Sequence, residues 1–201
     1  MKAVHLGMGA VLAIMLGGCG FTLLPAVDIG VTSSPQDTLS YTAKTDLATN
    51  TVTYTLRANQ LTFQARSGSL GIRLDDYTVD FRDSTGQPVI AGDNIAYGHI
   101  GTYVVPGLTC DNPSPINQEC SLSSTNAKFG TGAPSTPINL DLLRADIAVA
   151  SFELWNANRP QVGWRATVTF KGKASNGMET SFQETFGVTV GTSGASHGGL
   201  Q

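Results

Sequence analysis

Histidine, charge and cysteine are all scarce in this chain, and each shortage closes off a class of function. Its 201 residues include three histidines, three cysteines, 12 Lys+Arg and 15 Asp+Glu, with charged residues at 13% and aromatics at 7%. So few basic residues leave no footprint for nucleic acid or for anionic lipid headgroups. With His5 near the N-terminus and His197 near the C-terminus, His99 is the one histidine placed to serve a folded region as a base. No phosphate loop, dinucleotide fingerprint, zinc-ligand spacing, haem-attachment motif or heptad array accompanies it. Nor is there an internal repeat of solenoid or propeller period. The expectation is a protein that is not an enzyme and uses no cofactor and no metal.

A hydrophobic run long enough to cross a bilayer is missing too. Residues Ala3 to Gly18 are apolar apart from His5, which is too short for a mature spanning helix. One early charge at Lys2, an apolar core from Val11 to Leu16 and small residues at the end make up a secretory signal peptide, residues 1–18. Its ending, Leu16-Gly17-Gly18-Cys19, resembles the lipobox of bacterial lipoproteins. That resemblance implies cleavage before Cys19, diacylglycerol on its thiol and acylation of the new amino terminus. Two or three acyl chains hold a protein where one would not. Gly20 rather than Asp follows the cysteine, which by resemblance to the sorting rule of Gram-negative lipoproteins favours the outer membrane. Removing Lys2 with the leader leaves eleven basic residues against 15 acidic ones, a mildly acidic mature chain.

With Cys19 consumed by lipid, Cys110 and Cys120 remain as an even pair in an oxidising compartment, where a disulfide is the default. They sit in a segment, Pro106 to Pro137, that holds five of the nine prolines and long Ser/Thr/Gly runs. A loop of that length inside a compact domain tends to be functional or disordered. A ring from Cys110 to Cys120 containing Pro113 and Pro115 would restrict it, so Asp111, Asn112, Ile116, Asn117 and Gln118 are the candidate binding loop.

Elsewhere the pattern has period two. Val52, Tyr54 and Leu56 alternate with threonines, Leu61, Phe63 and Ala65 alternate with polar residues, and Trp164, Ala166, Val168 and Phe170 do the same. Ser175-Asn176-Gly177 reads as a hairpin turn into Phe182–Val190. From Ile72 to Phe81 the phase slips at Asp75-Asp76, and a bulge there would restore one buried face. Gly98 and Gly101, inside the strand from Ile95 to Val105, suggest a bulge or a close backbone approach. For 139–156 two readings compete. A short turn followed by a strand from about Asp146 to Trp155 is favoured by its neighbours, while Leu140, Leu143, Ile147, Ala150 and Leu154 also fit a helical stripe behind an Asn139 cap.

The expected fold is therefore all-β, an antiparallel sandwich over 38–190 with one long disulfide-containing loop at 106–137. It follows a lipidated tether at 19–37, in which any first strand would start late, and precedes a disordered tail at 191–201. The last hairpin resembles that of an immunoglobulin-like or fibronectin-like module. The favoured function is a cell-envelope lipoprotein, anchored to the membrane through Cys19, that recognises an envelope protein or a glycan through its loops. The alternative is a calcium-dependent or hydrolytic module built on Asp75, Asp76, Asp80, Asp83 and Asp93. Against it, strand alternation places Asp76 and Asp80 on a solvated face, and Asp83 and Asp93 suit turns. His99 shares a face with Tyr97 and Tyr103, which fits either a site wall or an edge-strand residue. Trp155 and Trp164 read as core residues rather than as a sugar-stacking platform.

Overall fold

The computed structural model describes residues 27–46, 49, 51–92, 94–110, 128–156 and 163–191. The leader, Cys19, most of the tether, Asp93, Asp111–Gln118, Cys120 and the tail lie outside the described residues.

The elements follow the alternation closely. In chain order they are β1 (Ile29–Ser34), β2 (Thr38–Asp46), β3 (Thr51–Leu56), β4 (Asn59–Ala65), β5 (Ile72–Arg82), β6 (Ile95–Val104), β7 (Leu108–Thr109), β8 (Lys128–Phe129), β9 (Ile138–Leu140), α1 (Ala145–Asn156), β10 (Arg165–Ala174) and β11 (Glu179–Gly191). A six-stranded sheet runs in the order β3-β2-β11-β10-β5-β6, and a three-stranded sheet in the order β1-β4-β9. Together they form an all-β, sandwich-like body with one helix.

Burial of every second residue holds the two sheets together. Leu39, Tyr41 and Ala43 of β2, Ala166, Val168 and Phe170 of β10, and Phe186 and Val188 of β11 meet Leu61, Phe63 and Ala65 of β4 in one core. Phe63 crosses the interlayer space, with its ring centroid 5.1 Å from that of Phe170 and 6.3 Å from that of Phe182, edge to face in both cases. Such pairs add roughly 0.5–1.5 kcal/mol beyond the area they bury.

The bulge expected at Asp75-Asp76 is present. The β5–β6 register shifts between Leu74 and Asp76, and Ile72, Leu74, Tyr77, Val79 and Phe81 all point into the core. The hairpin at Asn176-Gly177 joins β10 to β11 in register from Lys173–Glu179 to Arg165–Gly187. Gly98 is the close approach its position suggested, because a Cβ there would lie 2.3 Å from Cζ of Tyr77 on the facing strand.

Three findings differ from the expectations. First, the favoured strand from Asp146 to Trp155 is the helix α1. Leu142 and Leu143 are buried ahead of it, and Ile147, Ala148, Ser151 and Phe152 are buried along it, a spacing of three to four that a strand cannot provide. Asn139, the expected cap, lies in β9; the helix begins instead at Ala145, with Asp146 in its first turn and its carboxylate accepting from the N–H of Ile147 at 2.9 Å. The three-stranded sheet is narrower than the one it faces, and α1 packs over part of the remainder, with Phe152 edge-on to Tyr54 of β3 at 5.7 Å.

Second, the pairing is not wholly antiparallel. The chain passes from β1 in one sheet to β2 in the other through the turn Ser34–Asp37, held by Ser33 Oγ, which donates to the Pro35 carbonyl and accepts from the N–H of Asp37. That crossing sets β2 parallel to β11. The first strand occupies Ile29–Ser34, within the stretch read as tether, and pairs along its whole length with β4.

Third, the described end of 106–137 that leads into β9 is tied down. Gly132 N–H donates to the Ala65 carbonyl, Ser135 N–H to that of Phe63, and the Gln64 side chain donates to the Gly132 carbonyl. The segment thus runs along β4 before it becomes β9.

Candidate functional site

Three places could carry recognition: the carboxylate stretch on the outer face of β5, the start of β6, and the loop between β7 and β8.

The bulge of β5 shapes the first. Opposite it, the β10 register shifts between Lys171 and Gly172, and Gly172 is required there because a Cβ would lie 2.1 Å from the Arg73 carbonyl oxygen. The bend opens a cleft of about 500 Å³ on the solvent side, lined by Arg73, Asp75, Asp76, Lys171, Lys173 and Glu179 among others. Both aspartates of the cleft have a side-chain partner. Arg73 Nε donates to Asp75 at 2.9 Å, and the His99 ring meets the Asp76 carboxylate. His99 is 92% exposed at its side chain, which leaves it in water rather than in a cavity that could hold a substrate against it. Among the described residues no hydroxyl or thiol shares a hydrogen bond with it, so the geometry assembles no nucleophile–base pair.

The remaining carboxylates of this stretch are dispersed. Arg82 donates to Asp80 at 2.8 Å. Asp80 also accepts from Asn94, whose amide oxygen takes the N–H groups of Val89 and Ile90. Asp83 closes its own turn, accepting from the backbone and hydroxyl of Thr85 and from the N–H of Gln87. The Thr85 hydroxyl and then the Gln87 N–H hold the Asp83 carboxyl below its ordinary range. Among the described residues no three His, Cys, Asp or Glu groups converge as a metal site would require.

Asn94 was not singled out in the sequence, and nothing in its neighbourhood marks it. It nonetheless organises the whole β5–β6 connection from a buried position. Beside it a recess of about 300 Å³ is lined by Asp80, Arg82, Pro88, Asn94, Ile95 and Tyr97. Tyr97 is 77% exposed and stands on the outer face with His99, whereas Tyr103 is half-buried further along the strand. Trp164 is buried, as a core residue should be.

The third place is described through its stem. Leu108 pairs with Phe129 and Thr109 with Lys128, so Cys110 opens the loop at the tip of a two-stranded ladder. That ladder is fixed to the body at its root. Gly68 N–H donates to the Gly107 carbonyl at 2.8 Å, Gly107 N–H to that of Ser69 at 2.9 Å, and Gly130 N–H to that of Gly107 at 3.1 Å. Gly107 fits only as glycine, since a Cβ would lie 1.9 Å from the Arg66 carbonyl oxygen. The candidate residues Asp111, Asn112, Ile116, Asn117 and Gln118 fall beyond the described part of this loop.

Comparison of the chain with protein-family models and with curated proteins returned no match.

Proposed function

We propose that this chain is a lipid-anchored protein of the bacterial cell envelope, cut before Cys19, which acts as a non-enzymatic binding or structural accessory module and recognises a protein or glycan through its loops. The observation that carries this reading is the stem of the 110–127 loop. A long, proline-rich segment is held at its root by three backbone hydrogen bonds and a sterically obligatory glycine, which is how a rigid scaffold presents a recognition loop. The dispersal of the carboxylates and the exposure of His99 give the catalytic and calcium readings no comparable support.

The finer fold assignment belongs to the same proposal. β1 pairs with β4 and β4 with β9 in one layer, while in the other β2 runs parallel to β11, beside β10, β5 and β6. This order resembles that of an immunoglobulin-like sandwich and supports the finer assignment. Phe63 and Phe170 then stand on the two strands that an inter-sheet disulfide joins in antibody domains. Cys110 is not free, which supports a bridge to Cys120.

The test compares wild type with Cys110→Ser/Cys120→Ser for melting temperature and for capture of envelope partners by cross-linking. Loss of partners with little change in melting supports recognition by the ring. A large fall in melting, or unchanged capture, refutes it. The anchor is tested separately, by acyl mass on Cys19 and its loss in Cys19→Ser.

A further inference from the structure

We infer that the end of the sandwich carrying the β7–β8 stem rests on the lipid bilayer, with Phe129 and Met178 inserted at its surface. The inference rests on the proposed anchor at Cys19 and adds to it an orientation that the anchor alone does not set.

One end of the body gathers every element needed. The chain enters the fold there: Asp28 N–H donates to Ser69 Oγ at 2.8 Å, and Arg66 N–H to the Asp28 carbonyl at 2.9 Å. The same turn, Arg66–Ser69, binds the β7–β8 stem through Gly107. The β10–β11 hairpin closes on the same end, with Ser175 N–H donating to the Gly71 carbonyl at 3.0 Å. Two of the four exposed large hydrophobic residues in the described part are here, Phe129 at 74% and Met178 at 58%. Phe129 lies against Gly68, where a Cβ would come within 3.1 Å of its ring, so it is braced by the entry turn rather than folded back into the core.

The length of chain between the proposed anchor and the fold argues for the bilayer as the occupant of this surface. Ile29 lies ten positions after Cys19, and even fully extended that span reaches only about 33–36 Å. A lipid on Cys19 therefore keeps this end close to the membrane at high effective concentration, and exposed apolar side chains there meet lipid before anything else. Charge does not drive the contact. Arg66 faces Asp28 at 3.7 Å and Arg73 faces Asp75 at 2.9 Å, so although Lys128 and Lys173 are exposed the end is no polybasic patch. The occupant is the bilayer's interface itself, without preference for anionic headgroups.

The experiment uses the lipidated full chain in phosphatidylethanolamine/phosphatidylcholine vesicles, with and without brominated acyl chains. Phe129→Trp and Met178→Trp are compared with Gln87→Trp, which places the reporter in the β5–β6 turn at the opposite end, and each signal is read against wild type. Circular dichroism confirms that the variants fold. A ring sitting about 5–10 Å into the interface should lose roughly half its emission to brominated lipid, while the Gln87→Trp emission stays unchanged. Addition of phosphatidylglycerol should leave the pattern as it is. Protein that floats with vesicles yet shows no more quenching at 129 and 178 than at 87 overturns the orientation and leaves the anchor standing. Protein that carries no acyl mass and does not float overturns the anchor, and the orientation with it.

Discussion

Replacing Gly98 by Ala tests the packing of β6 against the core at a single atom. The backbone of Gly98 is not in the left-handed region, unlike that of Gly101 at φ 68°, so an added methyl meets no conformational strain and the effect is steric alone. It would lie 2.3, 2.4 and 2.5 Å from Cζ, Oη and Cε1 of Tyr77. Carbon atoms pack best at about 3.5–4.0 Å, so the overlap exceeds an ångström. Tyr77 is 7% exposed, and its ring is clamped between β5 and β6 where the two residues face each other in register. It cannot swing aside without opening the core. Overpacking of this kind costs about 1–3 kcal/mol, against which the reduced freedom of the unfolded chain returns about 0.4–1 kcal/mol. With so large an overlap the net loss should be about 2 kcal/mol, or a fall in Tm of roughly 4–8 °C for a domain of this size. The decisive measurement is a double-mutant cycle by urea denaturation with Tyr77→Leu. In that background Gly98→Ala should be neutral or slightly stabilising, giving a coupling of about 2 kcal/mol. An equal cost in both backgrounds would refute the steric account.

Two further outcomes follow from the same structure. Phe63→Ala removes the ring that joins the sheets and should cost about 3–5 kcal/mol, read as a lower urea midpoint; a loss under 1 kcal/mol would mean that the layers do not depend on this contact. Asp83 has its folded pKa held below the unfolded value, so its contribution is complete above the unfolded pKa of about 3.9 and is lost as pH falls toward the lower folded value. Asp83→Asn should therefore show a smaller drop in urea midpoint between pH 7 and pH 3 than wild type, and an identical drop in both would contradict the turn's role.

The parts of this fold that could be read from the sequence are those where one local rule acts alone. Alternation at 164–170 and the Asn-Gly turn specify a hairpin without help from the rest of the chain, and the slip of phase at Asp75-Asp76 has one economical remedy. The helix at Ala145–Asn156 is hard to tell from a strand in the sequence, because Ile147, Val149, Phe152 and Leu154 satisfy period two in short pieces. What decides in favour of a helix is tertiary: one sheet is three strands wide, the other six, and the inner face left over must be covered. Recognition surfaces were harder still. Phe129 stands in a Ser/Thr/Gly-rich run with no period at all, and Met178 follows a turn, so neither carries a sign of exposure until Gly68, Gly107 and Gly71 bring their segments to one end.

The proposed anchor, joined to the fold at the end that carries the loop stem, would restrict what the proposed ring can recognise. Cys110 follows Thr109 directly, and Thr109 belongs to a ladder rooted on the turn where the chain enters. Under the proposed anchor and orientation, with a tether reaching about 33–36 Å at most, a loop rising from that ladder would work at the level of the lipid headgroups. A bulky soluble partner would have little room there, whereas a membrane-embedded protein or a glycan fixed to the envelope would present its surface at that level already. The composition of the ring suits the place. Asp111, Asn112, Asn117 and Gln118 offer hydrogen-bonding groups that tolerate a hydrated headgroup region, beside the apolar surface of Pro113, Pro115 and Ile116. Phe129 at the base of the stem would take the apolar contact, leaving the polar ring free to discriminate among partners rather than to hold the membrane.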